Sequence, residues 1–253
     1  MNTKTARARL AKIAFTGTAA LLLAACASMP HPATADPSAV SDPLEPVNRV
    51  TMSFNRVLDK VVFNPLDTVY RTLVPQIGRD AVHNVLANLK SPVYLANELL
   101  QGDLKGAGTV VQRFMINTFV GGGGLVDVAA KTGMPGEPED FGQTLAVWGV
   151  GNGPYIVWPI LGPSTLRDSA GFVGDIAMDP IYWYARNTDK PGLQWTRAGL
   201  TLVDAKDRTR DVMDDVYRNS GDPYAVLKSI YIQRRNAMID KSGSKSAPLP
   251  TIE

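Results

Sequence analysis

Three carboxylates stand close together at Glu137, Glu139 and Asp140. A pair of acids at such spacing can act as proton donor and nucleophile in glycoside hydrolysis. They lie among Pro135, Gly136 and Pro138, however, which suits a solvated loop leading into a helix whose dipole favours acids. Four glycines, Gly121, Gly122, Gly123 and Gly124, precede Leu125-Val126-Asp127-Val128 and could offer backbone N–H groups to a phosphate. No lysine follows them at the spacing of a phosphate loop, and Gly149-x-Gly151-x-Gly153 lacks the strand and helix of a dinucleotide site. Ser164, in Gly162-Pro163-Ser164-Thr165, lacks the elbow of a nucleophilic serine. His31 and His83 are the only histidines, and Cys26 the only cysteine, so no metal or cofactor site is expected. The residue types favour a binding or conduit protein over an enzyme. Two alternatives stay open: a structural lipoprotein that tethers the envelope, and a lipid hydrolase working through Asp or Glu.

Cys26 carries a different chemistry. Lys4, Arg7, Arg9 and Lys12 form a basic start without an acid, and Ile13 to Ala25 is apolar or small. That run is long enough for a signal peptide and too short to span a bilayer. It ends Leu23-Ala24-Ala25-Cys26, which resembles a lipobox, so residues 1–25 are expected to be a lipoprotein signal peptide and Cys26 the acylated first residue. Several acyl chains at about 0.8 kcal/mol per buried methylene make a stable anchor, where one chain would be marginal. Removing the signal takes four of the 26 Lys and Arg and none of the 24 Asp and Glu, leaving a net charge of −2. The apparent basicity therefore belongs to the signal, and no nucleic-acid partner is implied.

These residues must be positioned by the elements between two low-complexity ends. Residues 26–41 read as the lipidated cysteine and a flexible tether of roughly 20 Å, and residues 241–253 as a disordered tail. Residues 42–240 read as one helical domain, and the fold class is all-α. Asp42-Pro43-Leu44-Glu45 has the form of a capping box. Leu44, Val47, Thr51, Phe54, Leu58 and Val61 then mark one face of a helix. Asn64-Pro65, Ser91-Pro92 and Asp222-Pro223 predict further starts, with helices over Gln76 to Leu89 and Asp103 to Phe119. The clearest stripe is Trp195, Ala198, Leu202, Ala205, Thr209, Val212 and Val216, with Lys206, Asp207, Arg210, Asp211 and Asp214 on the other sides. Only Tyr155 to Ile160 hints at a strand.

Phe141 to Leu166 contains no charge, and Gly151-Asn152-Gly153-Pro154 interrupts it, which excludes a spanning helix. Trp158 lies within it, and Tyr182, Trp183, Tyr184 and Trp195 follow. Such aromatics suit either core packing or a membrane interface, where the ring is apolar at one end and wet at the other.

Longer motifs narrow the reading. Asp42-Pro43-Leu44-Glu45-Pro46-Val47-Asn48-Arg49, Phe54-Asn55 and Leu58-Asp59 resemble the opening signature of the MlaA (VacJ) family of outer-membrane lipoproteins. The likeness continues through Val74-Pro75, Asn88-Leu89, Leu100-Gln101-Gly102-Asp103, Arg113-Phe114 and Asn117-Thr118. Asp127-Val128-Ala129, Asp140-Phe141-Gly142-Gln143-Thr144-Leu145, Trp148 to Tyr155 and Leu166-Arg167-Asp168 extend it, collinear from about residue 42 to 235.

The resemblance implies a single ring-like helical domain with a central amphipathic pore, lying in the periplasmic leaflet of a Gram-negative outer membrane. It implies association with a trimeric porin. It implies removal of mislocalised phospholipid from the outer leaflet, handed to a soluble periplasmic carrier without hydrolysis. Phe54, Asn55, Gly121 to Gly124, Asn152, Gly153, Pro154 and Tyr155 are then the expected pore residues. Trp158, Tyr182, Trp183, Tyr184 and Trp195 are the expected interface set. Ala185 to Leu193, polar and turn-rich, is expected to be a mobile hairpin at the pore mouth.

Overall fold

The computed structural model describes residues 40–240 except Glu137. The expected signal peptide, Cys26, nearly all of the tether and the tail lie outside the described residues.

Among the described residues the chain is helical with one two-stranded hairpin. Helix α1 (Glu45–Leu58) passes through a π-helical turn (Asp59–Phe63) directly into α2 (Asn64–Leu73). The expected capping box does not form: Leu44 is the N-cap, without a side-chain bond. The Asp42 carboxylate instead accepts from Asn48 Nδ2 at 3.1 Å and the Tyr224 hydroxyl at 2.6 Å, and pairs with Lys228 at 3.0 Å. Three tertiary donors outbid one cap.

Helix α1 is inside out. Its apolar stripe faces outward, with Val47 62 % exposed, while Asn48 at 2 % and Asn55 at 7 % are buried. The pattern continues in α2, where Leu66, Val69 and Leu73 are exposed and Asp67 is buried. The two asparagines have a defined task. Asn48 donates to the Tyr155 carbonyl at 3.0 Å and accepts from the Val157 N–H at 2.8 Å. Asn55 donates to the Trp158 carbonyl at 2.9 Å and accepts from the Ile160 N–H at 2.7 Å. Seven helical residues rise about 10.5 Å, and three strand residues span about 10 Å. The i, i+7 pair therefore matches the hairpin edge and serves it as a side-chain third strand.

That hairpin is β1 (Tyr155–Trp158) antiparallel to β2 (Gly162–Thr165), with Tyr155 opposite Thr165 and Trp158 opposite Gly162. Its inward residues Tyr155 and Val157 meet Val40, Tyr224 and Ile232 in a small apolar core. The expectation of a strand from Tyr155 holds to Trp158; Pro159, Ile160 and Leu161 then form the turn, Ile160 with φ 69°.

Helix α3 (Gln76–Leu100) runs straight through Pro92, so Ser91-Pro92 is not a start and the helix does not stop at Leu89. Pro92 forfeits one backbone bond, yet Val93 and Asn97 beyond it are buried, and α3 packs along α4 (Leu104–Phe119). Packing overrides the breaker. Short helices α5 (Val128–Lys131) and α6 (Phe141–Val147) are capped by Asp127 and Asp140. After the hairpin come α7 (Leu166–Met178), α8 (Pro180–Asn187), α9 (Pro191–Asn219) and α10 (Pro223–Ile239). The segment Ala185 to Leu193 is not a separate hairpin: its ends belong to α8 and α9, and only Thr188 to Lys190 turn between them.

The glycine run closes α4. The Gly123 and Gly124 N–H groups return to the Thr118 and Asn117 carbonyls at 2.8 Å each, so they are spent on ending the helix. Gly122, Gly123 and Gly124 have φ of 67°, 76° and 93°. A Cβ on Gly121 would collide with the Asn117 and Val126 carbonyl oxygens, and one on Gly124 would sit 2.8 Å from Asn88 Cβ; Gly123 has open space.

Two stability predictions follow from these contacts. Asn48→Ala leaves the Tyr155 carbonyl and Val157 N–H unpartnered in the interior, and should destabilise the domain by about 1–3 kcal/mol in denaturant unfolding. An unchanged midpoint would refute the clamp. Gly121→Ala should be more damaging than Gly123→Ala, because the second meets only left-handed strain of about 1–2 kcal/mol. Equal melting temperatures for the two variants would count against the turn packing.

Candidate functional site

A cavity of about 760 Å³ lies between α1–α2 on one side and α9 on the other, with the hairpin, α7 and α8 completing its wall. That is within the range of sites that enclose a small organic molecule. From α1 to α2 the lining residues come as Asn55, Asp59, Phe63 and Asp67, and as Met52, Arg56, Lys60 and Asn64, each set repeating every four positions. A straight α-helix drifts about 40° per four residues. The π turn inserts a wider coil midway and offsets part of that drift, and such turns are frequent at functional sites. From α9 come Trp195, Ala198, Leu202, Ala205 and Thr209, five of the seven stripe positions. The line then shifts to Met213 and Tyr217: Val216 is buried and Val212 half-exposed, neither on the cavity.

The walls are mixed. Met52, Phe63, Leu161, Phe172, Leu202 and Met213 offer apolar surface, and Arg56, Lys60, Lys90, Arg197, Lys206 and Arg210 offer positive charge. Half of that charge is tied down. Lys206 pairs with Asp59 at 2.6 Å, Arg210 with Asp67 at 2.6 Å, and Arg197 with Asp179. These bonds form part of a ladder that holds α9 to the opposite wall. Arg71 meets Asp207 at 2.6 Å, Arg208 meets Asp80 at 3.1 Å, and His83 Nδ1 meets Asp204 at 2.8 Å. Burial pushes the Asp204 carboxyl up, but His83 and Arg208 outweigh it and hold it below the usual range. The charged sides of α9 are thus its joint to α2 and α3.

A second polar centre supports the cavity from behind. Arg235 on α10 reaches Asp140 at 2.6 Å and Asp168 at 2.7 Å, which ties together the starts of α6 and α7. The Tyr231 hydroxyl donates to Asp168 at 2.5 Å, and Arg167 also pairs with it at 3.0 Å. Burial raises both carboxyls, yet the Arg235 guanidinium holds each below its ordinary pKa. Neither can supply a proton near neutral pH, as a glycosidase acid must. Glu139 is not solvated either: it is buried and accepts from Gln101 Nε2 at 2.9 Å. Local proline and glycine content had suggested an open loop, but the loop folds under α3. Among the described residues no group of acids, histidines or cysteines could hold a metal ion.

The expected pore residues are only partly brought together. Asn55 and Tyr155 line the cavity. Phe54 does not, because α1 turns its apolar face outward; nor do Gly121 to Gly124, which sit at the α4 end against α3. Asn152, Gly153 and Pro154 also lie off the cavity, in the approach to the hairpin, where Asn152 and Pro154 carbonyls accept from Arg167 and Leu166 N–H groups. The expected interface set divides: Tyr182 and Trp195 line the cavity and Trp158, Trp183 and Tyr184 do not, while all but Tyr182 are substantially exposed. The exposed indoles are anchored, Trp158 Nε1 to Ser169 Oγ at 2.8 Å and Trp183 Nε1 to the Ala177 carbonyl at 2.8 Å. Arg56, Lys60, Lys206 and Arg210 were missed because charges on an amphipathic helix read as its wet side. The four-residue recurrence was the available signal.

Residues 40–238 match the family model described as MlaA lipoprotein. The chain belongs to this family. It is 34 % identical over 238 residues to the "Intermembrane phospholipid transport system lipoprotein MlaA" of Shigella flexneri, covering 92 % of this chain and 90 % of that protein. The protein of the same name from Escherichia coli (strain K12) matches at the same identity and coverage. A solved structure described as "Structural basis for maintenance of bacterial outer membrane lipid asymmetry" superposes with a TM-score of 0.69 at 33 % identity, over 79 % of this chain and 100 % of that one. The mainly helical architecture is therefore that of MlaA. The quoted motifs acquire structural meaning here: in Asp42 to Arg49, Asn48 clamps the hairpin and Asp42 docks α10, and Asp140 and Asp168 share Arg235.

The Arg235 centre has a pH signature. Because Asp140 and Asp168 titrate low in the folded state, the stability they contribute is complete above the ordinary carboxylate pKa of about 4 and is lost as pH falls through their depressed values. Arg235→Met leaves half-buried Asp140 without its cation and buried Asp168 with only Arg167 and Tyr231, and should cost up to about 3 kcal/mol at neutral pH. It should also move the onset of acid unfolding to higher pH, since burial alone raises a carboxyl. Acid titrations of both proteins followed by helical signal check this; coincident curves would rule the centre out as a structural weld.

Proposed function

We propose that this chain removes mislocalised phospholipid from the outer leaflet of a Gram-negative outer membrane and passes it inward, so maintaining lipid asymmetry. One observation carries the reading: helices that turn valines, leucines and phenylalanine outward enclose a cavity whose wall is both charged and greasy. An outward apolar band suits hydrocarbon, and the mixed cavity suits a molecule with a charged head and acyl tails. A charge crossing hydrocarbon unaided costs at least about 2.5 kcal/mol, which is what a polar path avoids.

In this reading the domain lies in the periplasmic leaflet, anchored by acyl chains on Cys26 through a short tether. No helix among the described residues is long and apolar enough to cross a membrane, in keeping with a body set into one leaflet. Asn55 and Tyr155 with the α9 stripe form the lipid path, and Trp158, Trp183 and Tyr184 sit at the interface. A trimeric porin holds the protein at the outer leaflet, and a soluble carrier in the periplasm accepts the lipid. The protein breaks no bond in its cargo. The names of the relatives support transport; the fully engaged Asp140 and Asp168 argue against a carboxylate hydrolase.

Deletion of the gene should raise phospholipid in the outer leaflet, measured by labelling or by a lipase acting from outside. The unmodified gene should restore it, and neither Cys26→Ala nor a cavity-filling Ala198→Trp should do so at equal abundance. Full restoration by Ala198→Trp would sink the cavity as the lipid path, and no lipid change on deletion would favour a structural tether.

A further inference from the structure

We propose that Arg56 is the residue that binds the lipid phosphate inside the cavity. The proposal rests on the transport reading above and deepens it. Arg56 lies on the cavity wall with its guanidinium carbon 4.5 Å above the Tyr217 ring. Its Nε is buried and has no hydrogen-bond partner, and among the described residues no carboxylate lies within ion-pair distance of it. The other arginines on the wall, Arg197 and Arg210, each have an aspartate, and so has Lys206. A guanidinium carries five donors in a planar fork that fits two oxygens of a phosphate. To leave a partly buried one without an acceptor is unfavourable, unless the acceptor arrives with the ligand.

The surroundings fit an anion with acyl chains. The cation–π contact with Tyr217 holds the guanidinium on the wall without using its donors. Lys60, one turn further along the same wall, is exposed to the cavity and adds a second positive charge. Asp59, between them in sequence, is paired with Lys206 on α9, which offsets its repulsion of an incoming phosphate. Met52, Phe63, Leu202 and Met213 supply apolar wall for the chains. The ligand class is therefore a diacyl phosphodiester, bound by its phosphate.

The test uses the purified full chain in detergent with three probes: a fluorescent phosphatidylglycerol, a diacylglycerol with the same chains and label, and inorganic phosphate. Arg56→Gln should weaken phosphatidylglycerol binding about tenfold or more, the effect of one charge-assisted hydrogen bond. It should leave diacylglycerol binding and the helical signal unchanged. Arg56→Lys, which keeps the charge but not the fork, should recover part of the affinity and guards against a folding defect in the first variant. Equal affinity of Arg56→Gln and the unmodified chain for phosphatidylglycerol overturns the site while the cavity reading stands. Equal loss for both lipids assigns Arg56 to the fold instead. Displacement of phosphatidylglycerol by inorganic phosphate at matching concentration overturns a lipid source in favour of a free anion. Failure of the unmodified chain to bind either lipid overturns the transport reading and this site with it.

Discussion

The structure depends on satisfying polar groups inside a body whose apolar side faces out. In a soluble globule α1 and the π turn after it would bury Val47, Phe54 and Val61; here α1 buries Asn48 and Asn55. If the outer face meets lipid, its apolar residues gain nothing from leaving water, so the hydrophobic effect does not hold the helices together. Cohesion must then come from hydrogen bonds and ion pairs, where each unpaired group costs several kcal/mol in an apolar surrounding. The two asparagines meet that demand with four hydrogen bonds to the hairpin edge. The Arg235 centre and the α9 ladder meet it elsewhere.

The same constraint explains how function is accommodated. A mixed cavity can sit inside the fold because its charges are held by partners that also hold its walls. Lys206 with Asp59 and Arg210 with Asp67 are at once lining and joint. Arg56 is the departure from that economy: its cation–π contact with Tyr217 holds it on the wall, yet its donors are left for something else. Among the described residues Lys60 and Lys90 also face the cavity without a carboxylate, but of the wall's cations only Arg56 has a buried nitrogen left without a partner.

Helix identity and much of the element order were legible because they rest on local physics. Asp-capped starts at Asp103, Asp140 and Asp222 need only the residue and its next turn, whereas the Asp179 start went unread among its aromatics. The α9 stripe was legible as a face, since period needs no knowledge of the partner. Local signals failed where tertiary partners overrode them. Asp42 gave up its cap for Asn48, Tyr224 and Lys228, and α3 ran through Pro92 because both of its halves pack. Glu139 went under α3 despite its prolines and glycine.

What the sequence by itself determined is the set of faces, many of the helix starts and, through collinear motifs, the family. Periodicity says that a helix has two sides, and motif spacing says which lineage wrote them. Only the tertiary structure decided which side is the interior. That choice depends on partners far along the chain: the hairpin edge more than a hundred residues from Asn48, and α9 about 140 residues from Asp67. It turned the apparent core stripe of α1 into an outer surface and its apparent wet side into the wall of the cavity. It also moved the glycine run, which looked like a cradle, to the closing turn of α4, where its backbone bonds are already made.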